Sequence, residues 1–216
     1  MQHNQARFDA VSTADLQHPE AGAPVLQNGP GVSVASSPAV ISVRAFRDAL
    51  GHYASGITVI TGIDAQGPIG FTCQSFYSVS TEPPLISFSV QKTSTSYPRI
   101  RAAGSFAVNV LTRDQQHVAH QFSRSGTDRW RGIDWSRTRA GNPALDDTLI
   151  WLDCRIWAEY DAGDHLIVLG KVEEIGLPDG RSQDPLLYFK GSYRQLSADQ
   201  VAPAGITPKQ MTTNEQ

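Results

Sequence analysis

Residues 70–91 constrain this chain more than any other stretch: Gly-Phe-Thr-Cys-Gln-Ser-Phe-Tyr-Ser-Val-Ser-Thr-Glu-Pro-Pro-Leu-Ile-Ser-Phe-Ser-Val-Gln. The second half alternates. Ile86, Phe88 and Val90 fall on one face and Ser87 and Ser89 on the other, the period of a half-buried strand. The first half is polar at Thr72, Gln74, Ser75, Ser78 and Ser80, yet it is dense in β-branched and aromatic neighbours, so it reads as a second strand. Pro83 and Pro84 remove two backbone donors and fix two φ angles, which makes the corner between the halves stiff. The expectation is two strands on a rigid corner, with an edge of hydroxyls and backbone groups suited to a flat polar ligand.

The neighbouring elements follow in order. Ser42 stands as an N-cap before a helix that carries Val43, Phe46, Ala49 and Leu50 on one face, and Gly51 or the Ser55-Gly56 pair ends it. Residues 57–63 form a β-branched strand, and residues 64–67 turn it back into the key stretch. Four hydroxyl residues, Thr93 to Ser96, precede a helix through Tyr97, Ile100 and Arg101. Simple capping and an anion site at the helix start are both open readings of them. Residues 106–111 alternate as a strand, and Thr112 or Asp114 caps a helix through Val118 to Phe122. Residues 125–135 read as a surface loop anchored by Trp130 and Trp135. Residues 149–158 form a long strand with Ile150, Leu152, Cys154 and Ile156 on one face. Trp151 and Trp157 flank Asp153 and Arg155 on the other, which suggests a partner surface or a packed barrel exterior.

Six or seven strands against three helices, joined by short turns, predict a mainly β protein: an antiparallel β-barrel with flanking helices. Residues 1–40 and 198–216 are polar and rich in Pro, Gly, Ser and Ala. They read as a flexible extension and a flexible tail around one domain over 41–197.

Several function classes fall away. The formal net charge of −3 leaves no basic surplus for nucleic acid. No apolar run reaches the roughly 18–20 residues of a membrane span, and the N-terminus has no apolar leader. Cys73 and Cys154 are far apart, which fits a reducing cytoplasm better than a disulfide framework. His117 and His120 have no acidic or thiol partner near in sequence, so they read as helix surface and not as a metal site. Gly-x-Ser-x-Gly and His-Glu-x-x-His are absent, against two common hydrolase routes.

The run Gly-Phe-Thr-x-x-Ser-Phe-x-Ser-Val-Ser-x-x-Pro-Pro-Leu from Gly70 is long and specific. With Tyr-Ala-Ser-Gly-Ile-Thr-Val-Ile-Thr from Tyr53, and with Gly163-Asp164-His165, it resembles the flavin reductase-like family. These are the small reductase partners of two-component flavin monooxygenases. The likeness covers about residues 46–196.

The resemblance implies an FMN-binding split β-barrel, usually a homodimer, that passes hydride from NADH or NADPH to FMN or FAD. The flavin and nicotinamide carry the chemistry and the protein aligns two rings, so no nucleophile or acid–base pair is required. It places Thr72, Cys73, Gln74, Ser75 and Phe76 along the flavin ring. Val90, Gln91, Lys92, Thr93, Ser94 and Thr95 fall by the ribityl chain and phosphate, with His165 and Tyr193 near the stacked rings. Arg129 and Trp130 stand where the family has Lys-Phe. The reduced flavin would go to a separate monooxygenase. The alternatives are a split-barrel oxidase that keeps its flavin for an organic substrate of its own, and a non-catalytic flavin-binding module. The residues leave FMN against FAD open, and also NADH against NADPH. Arg99, Arg101, Arg129 and Arg131 are candidates to meet a 2′-phosphate.

Overall fold

The computed structural model describes residues 40–177 and 184–196; most of the two expected flexible ends lies outside these residues. The described residues from Ser42 onward belong to one compact unit. In chain order the elements are α1 (Val43–Leu50), β1 (Ser55–Gly56), β2 (Thr58–Asp64), β3 (Gly67–Cys73), β4 (Tyr77–Thr81) and β5 (Pro84–Gln91). Then come α2 (Tyr97–Ala103), β6 (Ser105–Val110), a 3-10 turn (Arg113–Gln115), α3 (Gln116–Ser123), β7 (Trp135–Arg137) and β8 (Pro143–Leu145). The long β9 (Ile150–Ala162) and β10 (His165–Gly176) precede β11 (Leu187–Phe189) and β12 (Ser192–Arg194).

The main sheet has seven strands in the order β3-β2-β6-β9-β10-β5-β4, every pair antiparallel. The key stretch therefore differs from the two-strand expectation. Residues 74–76 break its first half, so β3 and β4, neighbours in sequence, occupy opposite edges of the sheet. Six interstrand steps of about 4.8 Å would hold the edges of a flat sheet about 29 Å apart. The link from Cys73 to Tyr77 spans at most about 14 Å. The sheet must therefore curl until its edges meet, and what results is a barrel with a split. Ser75 bridges the split: its hydroxyl donates to Ser89 O at 3.0 Å and accepts from Ser89 N at 2.8 Å. A side chain thus makes the pair of bonds that a backbone ladder would have made.

The barrel interior is filled by the alternating residues read from the sequence. Ile86, Phe88 and Val90 are buried, with Phe106, Val108, Leu152, Cys154 and Val168 facing them. Phe88 packs edge-on against Phe106 at 5.2 Å and against Tyr97 at 6.1 Å. Full burial of one such ring contributes about 2–3 kcal/mol. A second apolar cluster lies under α3, where Phe122 packs edge-on against Trp130 and Trp130 against Trp135. The two indoles do anchor the loop, as the sequence suggested.

Local signals held where they were local. The Ser42 hydroxyl accepts from Ala45 N, Gly51 closes α1, and Asp64 pairs with Gly67 across a tight hairpin. On the outer face of β9 the two open readings divide by position: it is packed at Trp151 and Asp153 and exposed at Trp157. Asp153 is buried, accepting from Asn142 Nδ2 at 2.8 Å and Ala140 N at 3.3 Å. Gly176 lies directly against the Trp151 ring, so only Trp157 of the two indoles on that face is open to solvent.

Candidate active site

A cleft of about 1090 Å³ opens at the split between β3 and β5. Its floor is Phe71, Thr72, Cys73, Gln74 and Ser75 from the end of β3, facing Ser89, Val90 and Gln91 of β5. One wall is the loop Thr93, Ser94, Thr95 and Ser96; the other is His120 and Ser123 of α3 with Ser125, Gly126 and Arg129. His165, beside Gln91, and Tyr188 and Tyr193, beside His120, also line it. Eleven of the thirteen residues singled out from the sequence therefore line one cleft: Thr72, Cys73, Gln74, Ser75, Val90, Gln91, Thr93, Ser94, Thr95, Tyr193 and His165.

Two do not. Phe76 packs against the barrel core and borders a separate hollow with Tyr53 and Tyr77. The break at 74–76 turns its side chain away from the cleft. The Lys92 ammonium lies 2.8 Å from Asp161, so it braces the end of the β9–β10 hairpin. Its backbone N–H is also spoken for, donating to Asp164 O at 3.0 Å.

Several cleft side chains are held by bonds of their own. Thr72 Oγ1 donates to Ala119 O at 2.7 Å and ties β3 to α3. Ser94 Oγ accepts from Tyr97 N at 3.2 Å, so part of the hydroxyl cluster is a cap after all. The helix it caps, α2, is only seven residues long, and its N-cap Ser96 makes no capping bond with its side chain. Burial pushes the Cys73 thiol up from its ordinary value, and its sulfur sits 3.3 Å from Ser75 Oγ. At neutral pH it is a protonated, small side chain and not a nucleophile. His165 Nδ1 lies 2.7 Å from Asp164 Oδ1, a carboxyl that the imidazole holds below its usual range. Tyr193 stacks against His120 at 5.0 Å and against Tyr188 edge-on at 5.2 Å.

The sequence reading names Arg129 only as one of four arginines that could meet a 2′-phosphate, and does not single it out as the cation of the cleft. Arg129 leaves its loop and reaches across, donating to Gly70 O and Ser96 Oγ, both at 2.8 Å, and to Arg124 O at 2.6 Å. All three partners are neutral. Burial pulls the guanidinium down from its ordinary value. A desolvated cation with no carboxylate among its hydrogen-bond partners favours an anion beside it. The other arginines singled out differ. Arg99 is engaged by Asp64 at 2.6 Å and Arg101 by Glu159 at 2.6 Å, while Arg131 faces a second cavity outside α3. Position in sequence could not separate them, because Arg99, Arg101 and Arg129 each take a partner more than 30 residues away.

No group of three or more metal-ligating side chains occurs among the described residues. A hydroxyl-lined, cation-bearing cleft without a metal cluster fits a phosphate-bearing ring system held by polar contacts.

The family model of the flavin reductase like domain matches residues 50–197. The chain belongs to the flavin reductase-like family. It is 40% identical over 166 residues to the flavin-dependent monooxygenase reductase subunit HsaB of Mycobacterium tuberculosis, covering 77% of this chain and 89% of that protein. It is also 40% identical over 154 residues to the FMN reductase (NADH) SmoA of Agrobacterium fabrum, covering 71% and 86%. Among solved structures, nitrilotriacetate monooxygenase component B from Mycobacterium thermoresistibile superposes with a TM-score of 0.73 at 38% identity, covering 77% of this chain and 93% of that one. This flavin reductase-like chain thus shares the architecture of its relatives, a mainly β split barrel.

Proposed function

We propose that this chain is the NAD(P)H:flavin oxidoreductase of a two-component system, reducing FMN or FAD for a partner flavin-dependent monooxygenase. The observation that carries the reading is the cleft itself. It gathers backbone and hydroxyl groups of β3 and β5, an Arg129 with no carboxylate partner, and the His165, Tyr188 and Tyr193 rings within one space. The names of the relatives, a monooxygenase reductase subunit and an FMN reductase that uses NADH, support it.

A bound flavin would accept hydride from the nicotinamide, and the protein's part is to align the two and keep them apart from bulk water. In this reading residues 72–75 hold the ring plane, mainly through backbone groups, with Cys73 supplying a small uncharged edge. Gln91, Thr93 and Thr95 meet the ribityl hydroxyls, and Arg129 with Ser96 Oγ holds the phosphate. His165, oriented by Asp164, and Tyr193 border the place where the nicotinamide stacks. Phe76 and Lys92 act from behind the cleft, as a packing residue and a brace. Donors that are flexible hydroxyls suit a flavin that must be released, since differences in affinity are expressed mostly in off-rates.

We further infer a homodimer. Tyr77, Val79, Trp157, Tyr160 and Ile167 are exposed, and the pairings Tyr77 with Ser87, Ser89 with Ile167 and Ile167 with Tyr160 set them in neighbouring rows on the outside of β4, β5, β10 and β9. A patch of this kind marks an association surface, and a two-fold pair covers it with itself. Two buried free thiols, Cys73 and Cys154, support a reducing compartment, the cytoplasm.

The test is the loss of NADH and NADPH absorbance with the purified chain, with and without added FMN or FAD. Consumption that rises with free flavin, saturates and needs no other substrate supports the reading. No consumption with any flavin overturns it, and a flavin retained through gel filtration would then favour a substrate-specific oxidase or a non-catalytic module.

A further inference from the structure

Gln121 of α3 spends both hydrogens of its side-chain nitrogen on one loop. Nε2 donates to Arg129 O at 3.0 Å and to Arg131 O at 2.9 Å. We propose that Gln121 is a positioning residue: it fixes the aim of the Arg129 guanidinium and so sets the preference of the cleft for flavins that carry a phosphate over riboflavin. The proposal rests on the reading of the cleft as a flavin site with Arg129 at the phosphate, and it names the residue on which that selection depends.

Three observations carry it. The first is the guanidinium itself. Its Nε donates to Arg124 O at 2.6 Å, and its Nη1 donates to Gly70 O and to Ser96 Oγ, both at 2.8 Å. Among the described residues Nη2 donates to nothing, so its two N–H groups are left for a ligand. The anion is met by one nitrogen of a side chain whose other two are anchored. Such a bond depends on where the anchored part stands, because hydrogen bonds weaken steeply as they leave the line of the N–H.

The second is how the segment is held. Gly126 and Gly132 bracket it in left-handed conformations, with φ of 73° and 68°, and neither restrains what lies between them. Inside the brackets Trp130 packs edge-on against Phe122, the residue after Gln121. That apolar contact holds the segment down, but it is not directional. Direction comes from the carbonyls of residues 129–131. Trp130 O accepts from Ile133 N at 3.1 Å within the loop, whereas the carbonyls of Arg129 and Arg131 are tied to α3 by Gln121. Both acceptors are carbonyl oxygens, so the amide nitrogen of Gln121, and not its oxygen, must face them.

The third is the common frame. Thr72 Oγ1 donates to Ala119 O at 2.7 Å, and the Phe122 ring lies 2.6 Å from where a Cβ on Gly70 would stand. The helix that orients the backbone of Arg129 is thus the helix locked to the strand whose Gly70 O receives its side chain. Gln121 touches neither floor nor ligand. It refers the cation to the same support as the floor, which is how a supporting side chain keeps a site in register.

The experiment uses the full chain with Gln121→Met, which keeps the length of the side chain and removes its donors, together with Gln121→Ala, Arg129→Ala and the double variant Q121M/R129A. Dissociation constants for FMN and riboflavin come from fluorescence titration, and kcat and the KM for FMN from NADH consumption. Gln121→Met is expected to weaken FMN about tenfold and to leave riboflavin within about twofold, with Gln121→Ala alike. The KM for FMN should rise while kcat at saturating FMN holds. In the Arg129→Ala background Gln121→Met should cost FMN nothing further, since the aim of a missing guanidinium cannot matter. The proposal is overturned if FMN and riboflavin weaken alike, if FMN is unaffected, or if the loss adds in full to that of Arg129→Ala. A parent that binds FMN no better than riboflavin overturns it as well. The titrations need no turnover, so a phosphate preference that depends on Gln121 in a chain that oxidises no NADH with any flavin would sink the reductase reading and leave the role of Gln121 standing.

Discussion

Arg129 shows how one residue gives a cleft its chemical character. Its three acceptors are neutral and its charge is partly desolvated, so an anion at its open side gains a strong charge-assisted bond. Replacing it with Ala is expected to weaken FMN by about 10–100-fold, the equivalent of about 1.5–3 kcal/mol for a hydrogen bond to a charged group. Riboflavin, which lacks the phosphate, should bind the variant and the parent alike. Equal losses for both ligands in a fluorescence titration would show that Arg129 holds the loop and not a phosphate. Cys73 is the opposite case. Its thiol is buried beside Ser75 and kept protonated by desolvation. The Cys73→Ser variant should keep kcat within about threefold, and iodoacetamide should modify the native thiol far more slowly than a free one. A rapid loss of activity on alkylation at neutral pH would contradict this.

Among the elements, α2 carries the hydroxyl loop of the cleft at its start. It is too short to be stable alone. Tyr97 is buried in the barrel end with its hydroxyl on Glu159, and Arg101 pairs with the same carboxylate at 2.6 Å. Arg99, two residues from each and so on the other side of the helix, meets Asp64 on the β2–β3 hairpin through Nε at 2.7 Å and through its second nitrogen at 2.6 Å. Burial alone would raise the Glu159 carboxyl, but the Arg101 guanidinium and the Tyr97 hydroxyl outweigh it and hold it below its usual range. A carboxyl whose folded value is depressed contributes stability that is full above its unfolded value of about 4.3 and lost as pH falls through the folded value. The melting temperature of the parent should therefore exceed that of Glu159→Gln at pH 7, with the gap closing as pH falls below about 4.3. A gap that stays constant down to pH 3 would remove the carboxylate from the account. In β10, Gly170 lies where an added Cβ would overlap the Phe106 ring and crowd Ile86. Gly170→Ala should cost about 1–3 kcal/mol through overpacking, read as a lower melting temperature with the β-sheet circular dichroism retained.

At the scale of the whole molecule, the curled sheet has an inside that is filled and an outside that is only partly covered. Ser89, Gln91 and His165 of the cleft lie in the same rows as Ile167 and Tyr160 of the exposed apolar face, because Ile167 pairs with Ser89 and with Tyr160, and His165 with Gln91. Association through that face would place a second copy at the rim of the cleft. The variant Trp157→Glu with Tyr160→Glu should sediment as a monomer where the parent sediments as a dimer; a parent that is monomeric at micromolar concentration would end the dimer proposal. The sequence by itself determined what depends on neighbours in the chain. Ser42 caps and Gly51 stops α1, residues 64–67 make a hairpin, and Ile86, Phe88 and Val90 bury one face of β5, because capping geometry and the two-residue pleat are local. The family's motif then carried most of the cleft residues together. Only the tertiary structure decided that β3 and β4 part at 74–76 to opposite edges of one sheet. It alone turned Phe76 into the core and Lys92 to Asp161, and it alone sent Arg129 inward while Arg99 and Arg101 were claimed by acids on distant strands. An alternating pattern fixes which face of a strand is apolar but not which strand lies beside it, and a long charged side chain goes where its partner is. Both are settled by contacts between residues far apart in the chain, formed only when the barrel closes.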